Sequence, residues 1–122
     1  MHYISAEKLE LAQEDQELIL STIAQIQKDF SRAQIELNLN PEKKIDYGEL
    51  MTLMSDIVSH QLEVNYSTFF SALYLLDIPE DKVKEALFSN NKENVLEQIS
   101  RLIINRELIK VLTKKHYAQS SK

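Results

Sequence analysis

Residues 94–117, NVLEQISRLIINRELIKVLTKKHY, contain ten aliphatic side chains and neither glycine nor proline. The stretch reads as one helix, and the placement of its apolar residues decides what it packs against. A helix advances about 100° per residue, which puts Val95, Leu96, Ile99, Leu102 and Ile103 within an arc of about 120°. One turn later the same arc carries Arg106, Lys110, Lys114 and Tyr117. Ile104, Leu108, Val111 and Leu112 fall largely on the opposite side, with Ile109 at the boundary. The apolar face therefore switches. Such a helix must either bend near Asn105 or pack its two halves against different neighbours.

Two neighbours are open to the second half: the overhanging end of the first helix, or a second subunit. After Ser5, an N-cap with Glu7 in the first turn, no helix breaker appears before NLNPEKK at 38–44. Leu9, Ala12, Ile19, Ile23, Ile26, Phe30, Ala33 and Leu37 alternate by three and four, with Gln16 in the vacant slot, and so form a heptad seam. A continuous helix of roughly 33 residues would be about 50 Å long, against about 35 Å for a domain of this size. It must lie along its own domain or overhang and pair with a second copy, Gln16 then setting the register. The residues expected to carry self-association are Ile19, Ile23, Ile26, Leu108, Val111 and Leu112.

Between the long segments the signals are shorter. Asp46 and Glu49 in DYGEL have capping-box spacing and start a helix ending near Leu62. VNYSTFFSALYLLDIP restarts at Asn65 or Ser67 and is apolar on most sides, which predicts a central helix. Pro79 suits the first turn of a short helix, PEDKVKEALF, and Asn90 with Glu93 repeats the capping-box spacing before the last helix, which runs to about His116. Residues 1–4 and 118–122 are expected to fray within a single helical domain spanning 1–122.

The formal net charge is −5, unevenly spread. Residues 1–100 carry 8 Lys/Arg against 18 Asp/Glu, and residues 101–122 carry 6 against 1. The cations on the last helix admit three partners. They can offset the helix's own negative end and pair with the acids at 7–17, meet an acidic protein, or hold a phosphate or other anion. Nucleic acid is disfavoured by the small number of cations on an acidic body and by the lone Tyr117 available for stacking.

One glycine, two prolines and no cysteine leave no room for Gly-rich phosphate loops, disulfides or thiolate metal sites. Glu14 and Glu17 form an E-x-x-E pair, but no E-x-x-D follows to complete a polyphosphate metal cluster. His2, His60 and His116 share no ligand spacing, and none has a glutamate three residues before it. With one glycine a G-x-S-x-G elbow cannot form. Tyr66, Tyr74 and Asp77 could line a pocket, although core tyrosines with satisfied hydroxyls need no ligand.

The expectation is an all-α bundle of four or five helices, long at both termini, with shorter helices between. No leader-like basic and apolar run opens the chain and no window is apolar enough to cross a membrane, which points to the cytoplasm. The function expected is non-enzymatic helical interaction, through a homo-oligomer, in the first place a dimer, or an acidic protein partner, with no cofactor and no metal. The alternative is an anion- or phosphate-binding bundle, enzymatic or not, using Arg106, Lys110, Lys114 and Tyr117.

Overall fold

Residues 4–120 are described by a computed structural model, and they form six α-helices with no strand among the described residues. The extra helix comes from a break in the first one. The Asp15 carboxylate accepts from the backbone N–H groups of Glu17 and Leu18, at 3.0 and 3.2 Å. It thereby ends α1 (Ala6–Gln13) and caps the start of α2 (Gln16–Arg32). Gln16 is the exposed first residue of α2 and not a register position in a seam. With α1 broken away from α2, no overhang of the expected length exists.

Two helices end in the same unusual way. After α2, the N–H of Ile35 reaches the carbonyl of Phe30 and that of Gln34 the carbonyl of Ser31. After α4 (Tyr66–Leu75), Ile78 reaches Leu73 and Asp77 reaches Tyr74. Both are Schellman closures, and each packs its last apolar residue against the helix it closes. Their left-handed positions are Gln34 at φ 70° and Asp77 at φ 61°, where glycine is the unstrained choice.

Of the remaining helices, the third and the last start on side-chain caps, whereas α4 and the fifth have none. Asp46 and Glu49 form the expected capping box at the head of α3 (Tyr47–Val64). Asn65 joins α3 directly to α4. Pro79 precedes α5 (Glu80–Leu87). The cap of α6 (Lys92–Ser120) is Asn91, whose side chain accepts from Asn94 N–H at 2.8 Å, one residue later than the spacing of Asn90 and Glu93 suggests. α6 is unbroken for 29 residues, about 43 Å, and includes residues 118–120, where fraying was expected. Residues 1–3 and 121–122 lie outside the described residues.

The face switch in α6 is resolved by two separate cores. Ile99, Ile103 and Ile104 enter the main core with Ile19, Ile23, Ile26 and Phe30 of α2, Leu50, Met54 and Val58 of α3, and Phe69 and Leu73 of α4. Leu108 and Leu112 enter a smaller one with Ala12 of α1 and Leu18 of α2, flanked by Ile4, Leu9 and Val111. α1 folds back on the second half of α6 and covers it. The neighbour of the second half is therefore the beginning of the same chain.

Candidate functional site

The basic face of α6 meets acceptors of its own chain. Lys110 Nζ lies 2.9 Å from Asp29 Oδ2 on α2 and 3.5 Å from Glu107 Oε2 one turn back. Gln25 donates to Asp29 Oδ1 at 2.9 Å and accepts from Lys114 Nζ at 2.7 Å. A polar ladder thus joins α2 to α6 through residues 25, 29, 107, 110 and 114. Arg106 donates its Nε–H to the carbonyl of Leu76 at 3.2 Å and sets a terminal nitrogen 3.5 Å from Asp77 Oδ2. It satisfies the carbonyl end of α4 and faces the side chain at that helix's left-handed closure. Tyr117 lies at the exposed end of α6, its ring edge-on to His116.

The expected pairing within the chain is present, but its acceptors are Asp29, Gln25, Glu107, Asp77 and Leu76, not the acids at 7–17. The helix break moved those acids elsewhere: Asp15 caps α2, and Glu17 pairs with Lys44 at 3.6 Å. Arg106, Lys110 and Lys114 each meet an acceptor of the chain, although the acceptor of Lys114 is the neutral Gln25 and Arg106 also lines a groove of about 440 Å³ with Arg101.

Glu107 is the unusual member of the ladder. It is fully buried, and neither carboxylate oxygen makes a hydrogen bond, the Lys110 ammonium at 3.5 Å being an ion-pair contact only. Burial pushes its carboxyl up to about 8, Asp29 beside it pushes the same way, and Lys110 opposes. Asp29 moves the other way. Burial would raise it, but its contacts with Lys110, Glu107 and Gln25 outweigh that and hold it below the usual carboxylate range. One proton held by Glu107 beside an ionised Asp29 is the arrangement these environments favour. Nearby, Asn105 Oδ1 accepts from both Gln13 and Tyr47, tying α1 and α3 to the middle of α6. Burial raises the Tyr47 hydroxyl, against the pull of Arg101.

Of the residues expected to self-associate, Ile19, Ile23 and Ile26 are in the main core, and Leu108 and Leu112 are in the smaller one. Val111 is partly covered against the same cluster. The apolar surplus inferred for the terminal helices is consumed inside the chain.

Leu11, Leu53, Val64 and Phe88 are exposed singly, and α4 carries several exposed apolar side chains on one helix. Its ten residues, YSTFFSALYL, contain no charge. One side, with Phe69, Ala72 and Leu73, is buried. Tyr66, Tyr74 and Leu75 are 56, 78 and 62% exposed on the other, and Ser67 and Ser71 lie between them. The Tyr66 and Phe70 rings meet at 4.6 Å. Phe70 and Tyr74 also line a groove of about 210 Å³ with Ile78, Glu80 and Val83. The reading of α4 as a central helix is thus corrected. Asn65 and the Asp77 closure turn the chain sharply at both ends, leaving α4 on the rim with one face inward, and Tyr66 and Tyr74 outside the core. Sequence alone misses this because an all-round apolar helix has the same composition whether its outer face meets the core or something else.

Among the described residues no group of three or more His, Cys, Asp or Glu side chains is placed to hold a metal ion, and no helix is long and apolar enough to cross a membrane. Comparisons with protein-family models, with curated proteins and with solved structures find no match.

Proposed function

We propose that the chain is a non-enzymatic helical interaction module that pairs with a second copy of itself through the outer face of α4. The observation that carries this reading is the uncharged, exposed, aromatic-rich side of that helix in a chain of which 27% is charged. Tyr66, Tyr74 and Leu75 together leave open roughly 400 Å² of side chain, at about 150–250 Å² for a large aromatic residue. That approaches the apolar half of a standard interface of about 800 Å² per partner.

A second copy fits because an isologous contact sets each surface against itself. A face without charge meets itself with no like-charge penalty, and Ser67 and Ser71 at its centre let two helices approach closely. The adjoining α5 is charge-balanced within itself, Lys82 with Glu85 at 3.9 Å and Lys84 with Glu80 at 3.6 Å, so it sets no strong single-sign field beside the face. The dimer expected from sequence is retained with its surface moved to α4.

Sedimentation equilibrium from micromolar to near-millimolar protein tests the proposal. The parent chain dimerises, and Tyr74→Glu, at a solvent-facing position, remains monomeric with unchanged helical content. A parent chain that stays monomeric throughout overturns the proposal, and so does a dimer indifferent to Tyr74→Glu.

A further inference from the structure

The segment between α2 and α3 walls a cavity of about 440 Å³, none of whose lining residues belongs to α4. Its apolar lining comes from Ile23 of α2, Leu39 and Ile45 of the connection and Leu53 of α3. The wall is built rather than left to collapse. Ile35 and Ile45, near its two ends, are buried in the main core, and Leu39 N–H is fixed to Gln27 Oε1 at 2.8 Å. Leu53 nevertheless remains substantially exposed, so apolar surface faces the opening. That size, with a mostly apolar lining and a few polar groups, is characteristic of small-molecule sites.

The polar rim favours one kind of head group. Lys44, next in the chain, pairs with Glu17, whereas Lys43 has no ion pair among the described residues. Asn40 accepts Glu42 N–H with its Oδ1, which leaves its amide N–H groups to donate. Asn38 adds a second amide. The one carboxylate at the rim, Glu49, accepts Asp46 N–H in the capping box of α3 and keeps its charge, so the anion must be held on the Lys43 and asparagine side of the mouth. A free ammonium and free amide donors above an aliphatic floor match an anion on an apolar tail.

We infer that this cavity is a binding site for an alkyl carboxylate, its chain laid between Ile23, Leu39, Ile45 and Leu53 and its head group held by Lys43 and the asparagine amides. The chain length is read by burial and the head group by Lys43. Each methylene that enters the cavity contributes about 0.8 kcal/mol, which is about a fourfold gain in affinity until the floor is filled.

Titration of the full chain with hexanoate, octanoate and decanoate, followed by calorimetry and by backbone amide shifts, tests the assignment. The expected result is saturable shifts at Ile23, Leu39, Ile45 and Leu53, with affinity rising by up to about fourfold per methylene. Lys43→Gln lowers decanoate affinity several-fold and leaves decanol unchanged. Leu53→Trp, which fills the mouth from an exposed position, abolishes binding while circular dichroism shows the fold intact. The inference is overturned by an absence of saturable shifts at those four amides. It is equally overturned if decylammonium binds as well as decanoate, or if binding survives Leu53→Trp.

Discussion

Replacing Glu107 by glutamine should make the protein less sensitive to alkali. Glu107 has a carboxyl pushed from 4.5 to about 8 by burial and by Asp29. In the unfolded chain the group returns to its ordinary value and is ionised at neutral pH. Between pH 4.5 and 8 the native state therefore holds a proton that the unfolded state has released. Stability then falls as pH rises, by about 1.4 kcal/mol per unit for one group, and levels off above the folded value. From pH 5 to pH 8 the loss is on the order of 4 kcal/mol. Asp29 does not confuse this window. Its depressed carboxyl contributes stability that is present above its ordinary range near 4 and lost only as pH falls below it.

Glutamine has the shape of the protonated acid and cannot titrate. At pH 5 the variant and the parent should unfold within a few degrees of each other. A chain of this length has an unfolding entropy of about 0.26 kcal/mol/K, so each pH unit should separate them by about 5 °C, with the variant the more stable. Thermal unfolding by circular dichroism at pH 5, 6.5 and 8 gives the comparison directly. A gap that stays constant across the three pH values would refute the assignment of the proton to Glu107.

Two further outcomes follow from the packing. Leu108→Ala empties a fully buried site in the smaller core and should destabilise by about 2–5 kcal/mol in denaturant titration, with the loss of protection greatest in α1. Gln34→Gly relieves a left-handed residue whose Schellman hydrogen bonds are all backbone and should stabilise by roughly 0.5–1 kcal/mol, less any gain in unfolded-state freedom; an unchanged or lower midpoint would contradict it.

How much of this was legible differs from element to element. The angular reading of residues 94–117 located the face switch, and the structure supplies its cause in two cores instead of a bend. The capping box at Asp46 and the short helix after Pro79 were readable because their signals are local. The break at Asp15 was not, since the heptad spacing runs through it unbroken and only the side-chain cap reveals it. The ends of α2 and α4 were hidden for a related reason, with glutamine and aspartate where glycine would announce a Schellman turn. For the basic residues, sequence identified the cations but not their partners. Lys110 and Asp29 are 81 positions apart, and only the tertiary fold brings them together.

The covering of α6 by α1 also sets an order of assembly. The hydrogen bond from Gln13 to Asn105 spans 92 positions, and forming such a contact in an otherwise open chain closes a very long loop. Once α2 and α6 have met in the main core, α1 has only the short Glu14–Asp15 connection left to constrain, and docking it becomes a local event. α1 is therefore expected to join last and leave first, and its amides should exchange with solvent through a smaller opening than those of α2.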